Sequence, residues 1–292
     1  MLTKIKILIL FFVISATPFH TRAMYPGNPV KLFNIRSFDV PEGEFTMPRL
    51  SPDGRKIIFT RKDKQGIYLF IPGENENVIE LSDEPRAGYS SEWNSAGEKV
   101  ISVQKSKHKS LFPGIAIHTF NIPGKKEYSI IVEEDSPRLI PAFTGKPHVY
   151  FDVRQQHVFF TDGREIIQLT REPSVYYRFV LSPDNNKVVI HRNGSMYIYT
   201  VGNYEQPLRV GQGICTSWSP DGRFLLYFID EDRGEHQIVK SELYIYSIEN
   251  DKHWQLTDTP DRDEVWPDWK GNTIVYADNK SGKIFIADVE YP

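Results

Sequence analysis

The side chains able to do chemistry are few and widely spaced. Eight histidines occur: His20, His108, His118, His148, His157, His191, His236 and His253. None falls in the His-Glu-x-x-His pattern that puts two imidazoles on one helical face beside a general base. A closed ring of repeats could still gather some of them at its axis, so sequence distance leaves that arrangement open. The single cysteine, Cys215, has no intrachain disulfide partner. Its neighbours Ile214 and Thr216 place it in a strand, where a buried, inert thiol is expected. Gly-x-Ser-x-Gly, the nucleophile turn of the α/β-hydrolases, does not occur. Asp230-Glu231-Asp232, with Glu235, reads as a loop between the second and third strands of a unit. Asp258, Asp261, Asp263 and Glu264 read as a connection between units. Solvated faces are the default for both, with a cation site or a partner patch as alternatives. Lys105, Lys107, His108 and Lys109 form a small basic cluster that would stay solvated or steer an acidic partner. No catalytic residue, metal ligand or cofactor site is assigned.

The elements that would position these groups are short strands. Lys56–Thr60, Ile67–Ile71, Lys187–His191, Met196–Thr200, Leu225–Phe228 and Leu243–Ser247 are rich in β-branched and aromatic residues. Gly, Pro, Asn and Asp bound them, and no amphipathic helix is apparent beyond the first residues. The strands recur in a set order around Ser-Pro-Asp-Gly. Ser51-Pro52-Asp53-Gly54 opens the first clear copy, Asn94-Ser95-Ala96-Gly97 a degenerate one, and Ser182-Pro183-Asp184-Asn185 and Ser219-Pro220-Asp221-Gly222 two more. Trp269-Lys270-Gly271-Asn272 marks the last. Proline presets φ, aspartate accepts local backbone N–H groups and glycine takes positive φ, so this is a tight turn between the first and second strands. Asp53, Asp184 and Asp221 are therefore structural.

Five intervals from Ser51 to Lys270 give a period of about 44 residues, with four strands each. One blade cannot bury both of its apolar faces alone, but neighbours in a closed ring can. The pattern predicts an all-β, six-bladed β-propeller of four-stranded antiparallel blades. Pro141–Thr144 through Gln156–Phe160 supply the weakest blade, and Ile167–Thr170 its closing strand, in the same form as Trp254–Thr257. The last copy lacks a fourth strand after Phe285–Val289. Val30–Ile35 has no other use, so it is expected to pair there and close the ring, covering two free edges.

Lys4 and Lys6 precede an apolar run, Ile7–Ile14, followed by small residues, with Ala23 a second cleavage candidate. This is the order of a secretory leader, and the run is short for a membrane span. Residues 1–23 are read as the leader and 24–292 as one propeller domain. A retained anchor, or a start at Met24, are the alternatives. With 40% hydrophobic and 25% charged residues and a formal charge of −3, the chain fits a globular protein. It lacks the basic footprint of a nucleic-acid binder.

Pro48–Thr60, Trp218–Arg223 and Trp269–Asp278, with Asn279–Gly282, Lys283–Ile286 and Leu256-Thr257, resemble the WD40-like repeats of TolB-family propellers over roughly residues 30–290. The resemblance implies a periplasmic or extracellular ring that binds an envelope protein or peptide without catalysis. TolB members bind a peptidoglycan-associated lipoprotein. They also carry an α/β domain before the propeller, for which this chain has no room. Similar repeats in oligogalacturonate lyases supply the alternative, a metal-assisted carbohydrate lyase or hydrolase. Neither a nucleic-acid partner nor a membrane span after leader removal is expected, and a monomer is. In such rings one face gathers the connections between blades and the second-to-third turns. That face includes Pro85–Tyr89, Ser136–Arg138, Ser174–Arg178, Gly211–Gly213 and Asp261–Asp263. Tyrosine and arginine combine contact area with hydrogen bonding, so Arg86, Tyr89, Arg138, Tyr176, Tyr177 and Arg178 are the expected recognition residues.

Overall fold

The computed structural model describes residues 27–38, 40, 42–73, 78–105, 115–122, 125–132, 141, 144–203, 206–232 and 238–292. The leader, Arg138, Lys107–Lys109 and Glu235 lie outside them. The described strands form six sheets. Strand β1 (Lys31–Ser37) belongs to the last sheet and is taken up below. The first blade is β2 (Phe45–Leu50), β3 (Ile57–Arg61), β4 (Ile67–Phe70) and β5 (Ile79–Ser82). The second is β6 (Ser91–Trp93), β7 (Lys99–Lys105), β8 (Ile115–Asn121) and β9 (Lys125–Val132). The third shows β10 (His148–Asp152), β11 (His157–Thr161) and β12 (Ile166–Gln168). These are its second to fourth strands; ahead of them Pro141 and Thr144 are helical rather than extended, Gly145 N donating to Pro141 O at 2.8 Å, and residues 133–140 lie outside the described residues.

The fourth blade is β13 (Tyr176–Leu181), β14 (Lys187–Arg192), β15 (Ser195–Thr200) and β16 (Leu208–Gln212). The fifth is β17 (Ile214–Trp218), β18 (Phe224–Asp232), β19 (Ile238–Ser247) and β20 (Lys252–Gln255). The sixth is β21 (Glu264–Lys270), β22 (Thr273–Asp278) and β23 (Ile284–Glu290). Strand β1 completes it, antiparallel to β23 with Leu32 opposite Val289, so both ends of the described chain share one blade. The protein is a six-bladed β-propeller closed by its N-terminal strand.

The turns explain why the repeat is so regular. Ser51 Oγ donates to Asp53 Oδ1 at 2.5 Å and accepts from Lys56 N at 2.9 Å, while Arg55 N donates to Asp53. Ser182 with Asp184, and Ser219 with Asp221, repeat the pattern. In the degenerate copy Asn94 Oδ1 accepts from both Glu98 N and Lys99 N. One amide oxygen thus replaces the serine and the aspartate. The closing strands share a second device. Thr170 Oγ1 accepts from Val158 N and Thr257 Oγ1 from Leu243 N. Gln168 and Gln255 each donate to the backbone carbonyl of the threonine that follows.

The core lies between blades. Tyr227, Tyr246, Trp269, Phe228, Phe59 and Tyr276 are almost wholly buried, each such side chain adding roughly 1.5–3 kcal/mol. Indoles also staple neighbours. Trp93 Nε1 donates to Arg49 O in the first blade and Trp218 Nε1 to Val180 O in the fourth. The two acceptors hold equivalent positions, two residues before the turn serine. Trp269 Nε1 instead bonds Gly271 O in its own blade. One expectation needs correction. Asp230–Asp232 do not form a loop. They extend β18, with Asp230 opposite Ser241 and Glu231 opposite Lys240, because the opposed lysine and the alternating apolar residues suit a longer hairpin.

Candidate functional site: the propeller axis and its mouth

The innermost strands do not run straight. Pairing slips between Thr46 and Arg49, Tyr177 and Phe179, Cys215 and Ser217, and Val265 and Asp268. These are β-bulges, which re-aim the side chains around them. In three blades the bulge holds a residue four places before the turn at positive φ: Met47 at 52°, Arg178 at 48° and Trp266 at 56°. Side chains with a Cβ resist that region, at a cost of about 1–3 kcal/mol each, so neighbouring groups must impose it.

At the fourth blade the imposing group is His191. It is fully buried, its Nδ1 lies 3.0 Å from Arg178 O and its Nε2 accepts from Cys215 N at 3.0 Å. That pairing requires the neutral ring with its proton on Nδ1. Burial accordingly pushes the imidazole pKa down to about 4. The ring ties the Arg178 bulge to the fifth blade. Arg178 then lays its guanidinium on Trp266, 4.3 Å from the ring centroid. The two come from blades separated by the fifth, so the contact spans the axial mouth. Cys215 is fully buried, and burial raises its thiol pKa to about 12, which keeps it inert as expected.

The sixth blade brings Trp266 in on β21, whose first residue, Glu264, is fully buried. Glu264 accepts from Thr257 at 3.4 Å and more closely from Thr259, with Arg262 Nε 3.9 Å away. Buried Glu242 of β19 lies beside it, accepting from Thr259 N and 3.9 Å from Lys240 Nζ. Burial pushes the Glu264 carboxyl up to about 8, and the Glu242 charge adds to the effect. Loss of water and the Glu242 charge thus both favour the protonated form of Glu264. Ser241 Oγ donates to Glu264 O across the same seam.

Deeper in the axis, three residues two before the turns, Arg49, Glu92 and Asp268, gather around the Arg49 charge. Arg49 Nη1 donates to Thr216 O in the fifth blade, reaching past the sixth, and lies 4.0 Å from Asp268. Leu50 N donates to Asp268 Oδ2. Lys146, from the third blade, donates to Trp93 O at 2.6 Å. Glu92 keeps partial solvent access, so what raises its pKa is enclosure by the ring, opposed by Lys146 and Arg49.

The expected recognition residues are placed unequally. Arg86 is exposed ahead of a short 3-10 turn, Ala87–Ser90. Ala87 is buried and accepts from Ser102 Oγ, and a Cβ on Gly88 would fall 2.1 Å from Thr60 Oγ1, so this loop is wedged against the first blade. Tyr89 has its backbone in that turn; its side chain and all of Arg138 lie outside the described residues. Tyr176 is buried, with its hydroxyl on Glu172 O. Tyr177 is 42% exposed, accepts from Gly194 N and lies over His191. The structure thus brings Tyr177 and Arg178 to the mouth and adds Trp266, Arg49, Glu92, Lys146 and Asp268, which sequence reasoning missed. Arg49, Glu92 and Asp268 share one signal, a place two residues before the turn.

The described histidines lie on second, third and fourth strands, not on the innermost ones: His118, His148, His157, His191 and His253. Among the described residues no group of three or more His, Cys, Asp or Glu could share a metal ion. No helix among them is long and apolar enough to cross a membrane.

Architecture and axis together define a six-bladed propeller with polar side chains at its axis, two of which reach across it. No protein-family model and no curated protein matches the sequence. Solved structures do match. The β-propeller domain of Cps50 (Swd1) from Myceliophteria thermophila shares 13% identity, covering 90% of this chain and 100% of that one, with a TM-score of 0.56. A TolB-type protein from Agrobacterium tumefaciens shares 14% over 86% of this chain and 91% of that one, with a TM-score of 0.55. An oligogalacturonate lyase from Vibrio parahaemolyticus, at 14% over 85% and 79%, reaches 0.46, too low to support an argument. At these identities the likeness, to the TolB-type propeller as to the Swd1 domain, is one of fold.

Proposed function

We propose that the protein is an exported, non-catalytic ring that recognises a protein or peptide of the cell envelope. In this reading residues 1–23 are the leader and 24–292 the mature, monomeric domain. Recognition uses the face where blades connect. Arg86, Tyr89, Arg138, Tyr177 and Arg178 contact the partner, and Tyr176 packs beneath them. The supporting observation is the mouth itself, where exposed Tyr177 stands beside Arg178, stacked on Trp266. Preset aromatic and arginine side chains of this kind anchor interfaces at low entropic cost.

Photo-crosslinking in cells tests the reading. A crosslinking residue at Arg86 or Tyr177 should capture one discrete envelope protein, and Arg178→Ala should abolish capture. The same residue at Ile166 or Leu208, exposed on outer strands, should capture nothing. Equal yields from all four positions, or none from any, would count against it.

A further inference from the structure

The other end of the axis carries a different chemistry. An innermost strand begins at the recognition face and ends at its turn, so the turns line the opposite mouth. Lys270 holds the turn position of the sixth blade, and Lys146 comes from the turn region of the third. Arg49 lies just inside. Their partners are sparse. Lys146 spends one of its three donors on Trp93 O. Arg49 spends one N–H on Thr216 O, and its side chain stays 34% exposed. The Lys270 side chain has no hydrogen-bond or ion-pair partner among the described residues. Of the two carboxylates nearby among the described residues, Asp268 is engaged by Leu50 N and kept at 4.0 Å from Arg49, whereas the Glu92 side chain has no hydrogen bond or ion pair and feels Lys146 and Arg49 only through their charge. Burial lowers the pKa of Lys146 and the charge on Lys270 adds to the effect, while the Glu92 and Asp268 carboxylates oppose it. Among the described residues, three cations therefore meet two acids at this end of the axis, in a chain whose formal charge is −3. Surplus positive charge with unspent donors and low-dielectric walls is what holds an oxyanion.

We propose that the turn-side end of the axial channel binds an oxyanion, a carboxylate or phosphate group, held by Arg49, Lys146 and Lys270 and opposed by Glu92. Both ligand groups offer oxygens to N–H donors in the same way. A free anion and an acidic peptide segment entering the ring are the two sources. The site lies at the opposite end from the recognition face and stands whether or not that face binds a partner.

Isothermal titration of the mature protein at pH 7 and low salt tests it, with inorganic phosphate, citrate and a tetraglutamate peptide as probes. At least one should bind saturably. Lys270→Met and Arg49→Gln should each weaken that binding tenfold or more. Glu92→Gln should tighten it several-fold, a gain that misfolding cannot imitate. Tighter binding of tetraglutamate than of phosphate assigns the site to an acidic segment, and the reverse order to a free anion. Absence of saturable binding by all three probes would overturn the proposal. So would unchanged affinity in Lys270→Met, or an affinity in Glu92→Gln no higher than in the wild type.

Discussion

The fifth blade meets its two neighbours through opposite chemistry. Its seam with the fourth depends on a histidine that has given up its proton, and its seam with the sixth on a glutamate that has kept one. One physical cause drives both. Removing water penalises the charged form, which for imidazole is protonated and for a carboxyl is not. The difference shows how the mouth is held. Arg178 hangs from the His191 seam and Trp266 from the strand that Glu264 begins, so their stacking needs a neutral group on each side.

The largest expected effect is on the sixth-blade side. The Glu264 pKa is raised by folding, so its stabilisation is complete below about pH 4.5 and is lost as pH rises towards 8. The loss is on the order of 4–5 kcal/mol at most. Glu264→Gln should abolish this alkaline decline in urea unfolding midpoints. The fourth-blade seam responds the other way. The His191 pKa is lowered, so its contribution is complete above about 6.5 and is lost as pH falls towards 4. That is about 3 kcal/mol, and His191→Gln should remove it while its amide oxygen still accepts from Cys215 N.

Smaller changes sharpen the contrast. Trp218→Phe removes the indole bond to Val180 O between blades and should cost about 1–2 kcal/mol. It should also speed exchange of the Cys215 amide. Trp269→Phe breaks only a bond within its own blade and should leave that amide protected. Smallest of all, Thr257→Val and Thr170→Val each remove a hydroxyl that accepts from a backbone N–H, at about 1 kcal/mol. Only Thr257 also touches Glu264, so only Thr257→Val should move the alkaline limb of the pH profile.

The fold was legible because its signals are local. Ser-Pro-Asp-Gly closes its own hydrogen bonds within six residues, and Gln-Leu-Thr closes two of the outer strands identically. The unpaired Val30–Ile35 and the missing last strand pointed to each other. The axis was not legible, because strand alternation alone misassigns the residues around a bulge. Arg49 and Asp268 face inward only because pairing slips just before them. His191 and Glu264 read as ordinary strand and loop residues, since only the neighbouring blade dehydrates them. The sequence places Tyr177 and Arg178 at a blade connection, whereas Trp266, which lies under Arg178, carried no such signal.

The most direct test of the two-seam account is unfolding free energy from pH 4 to 9 in the wild type, His191→Gln and Glu264→Gln. The wild type should be nearly flat between about 4.5 and 6.5, where the two slopes cancel, and should fall from there to about 8. His191→Gln should decline steadily from about 4.5 to 8, and Glu264→Gln should rise from about 4 to 6.5 and then level. Three profiles of the same shape would contradict the account.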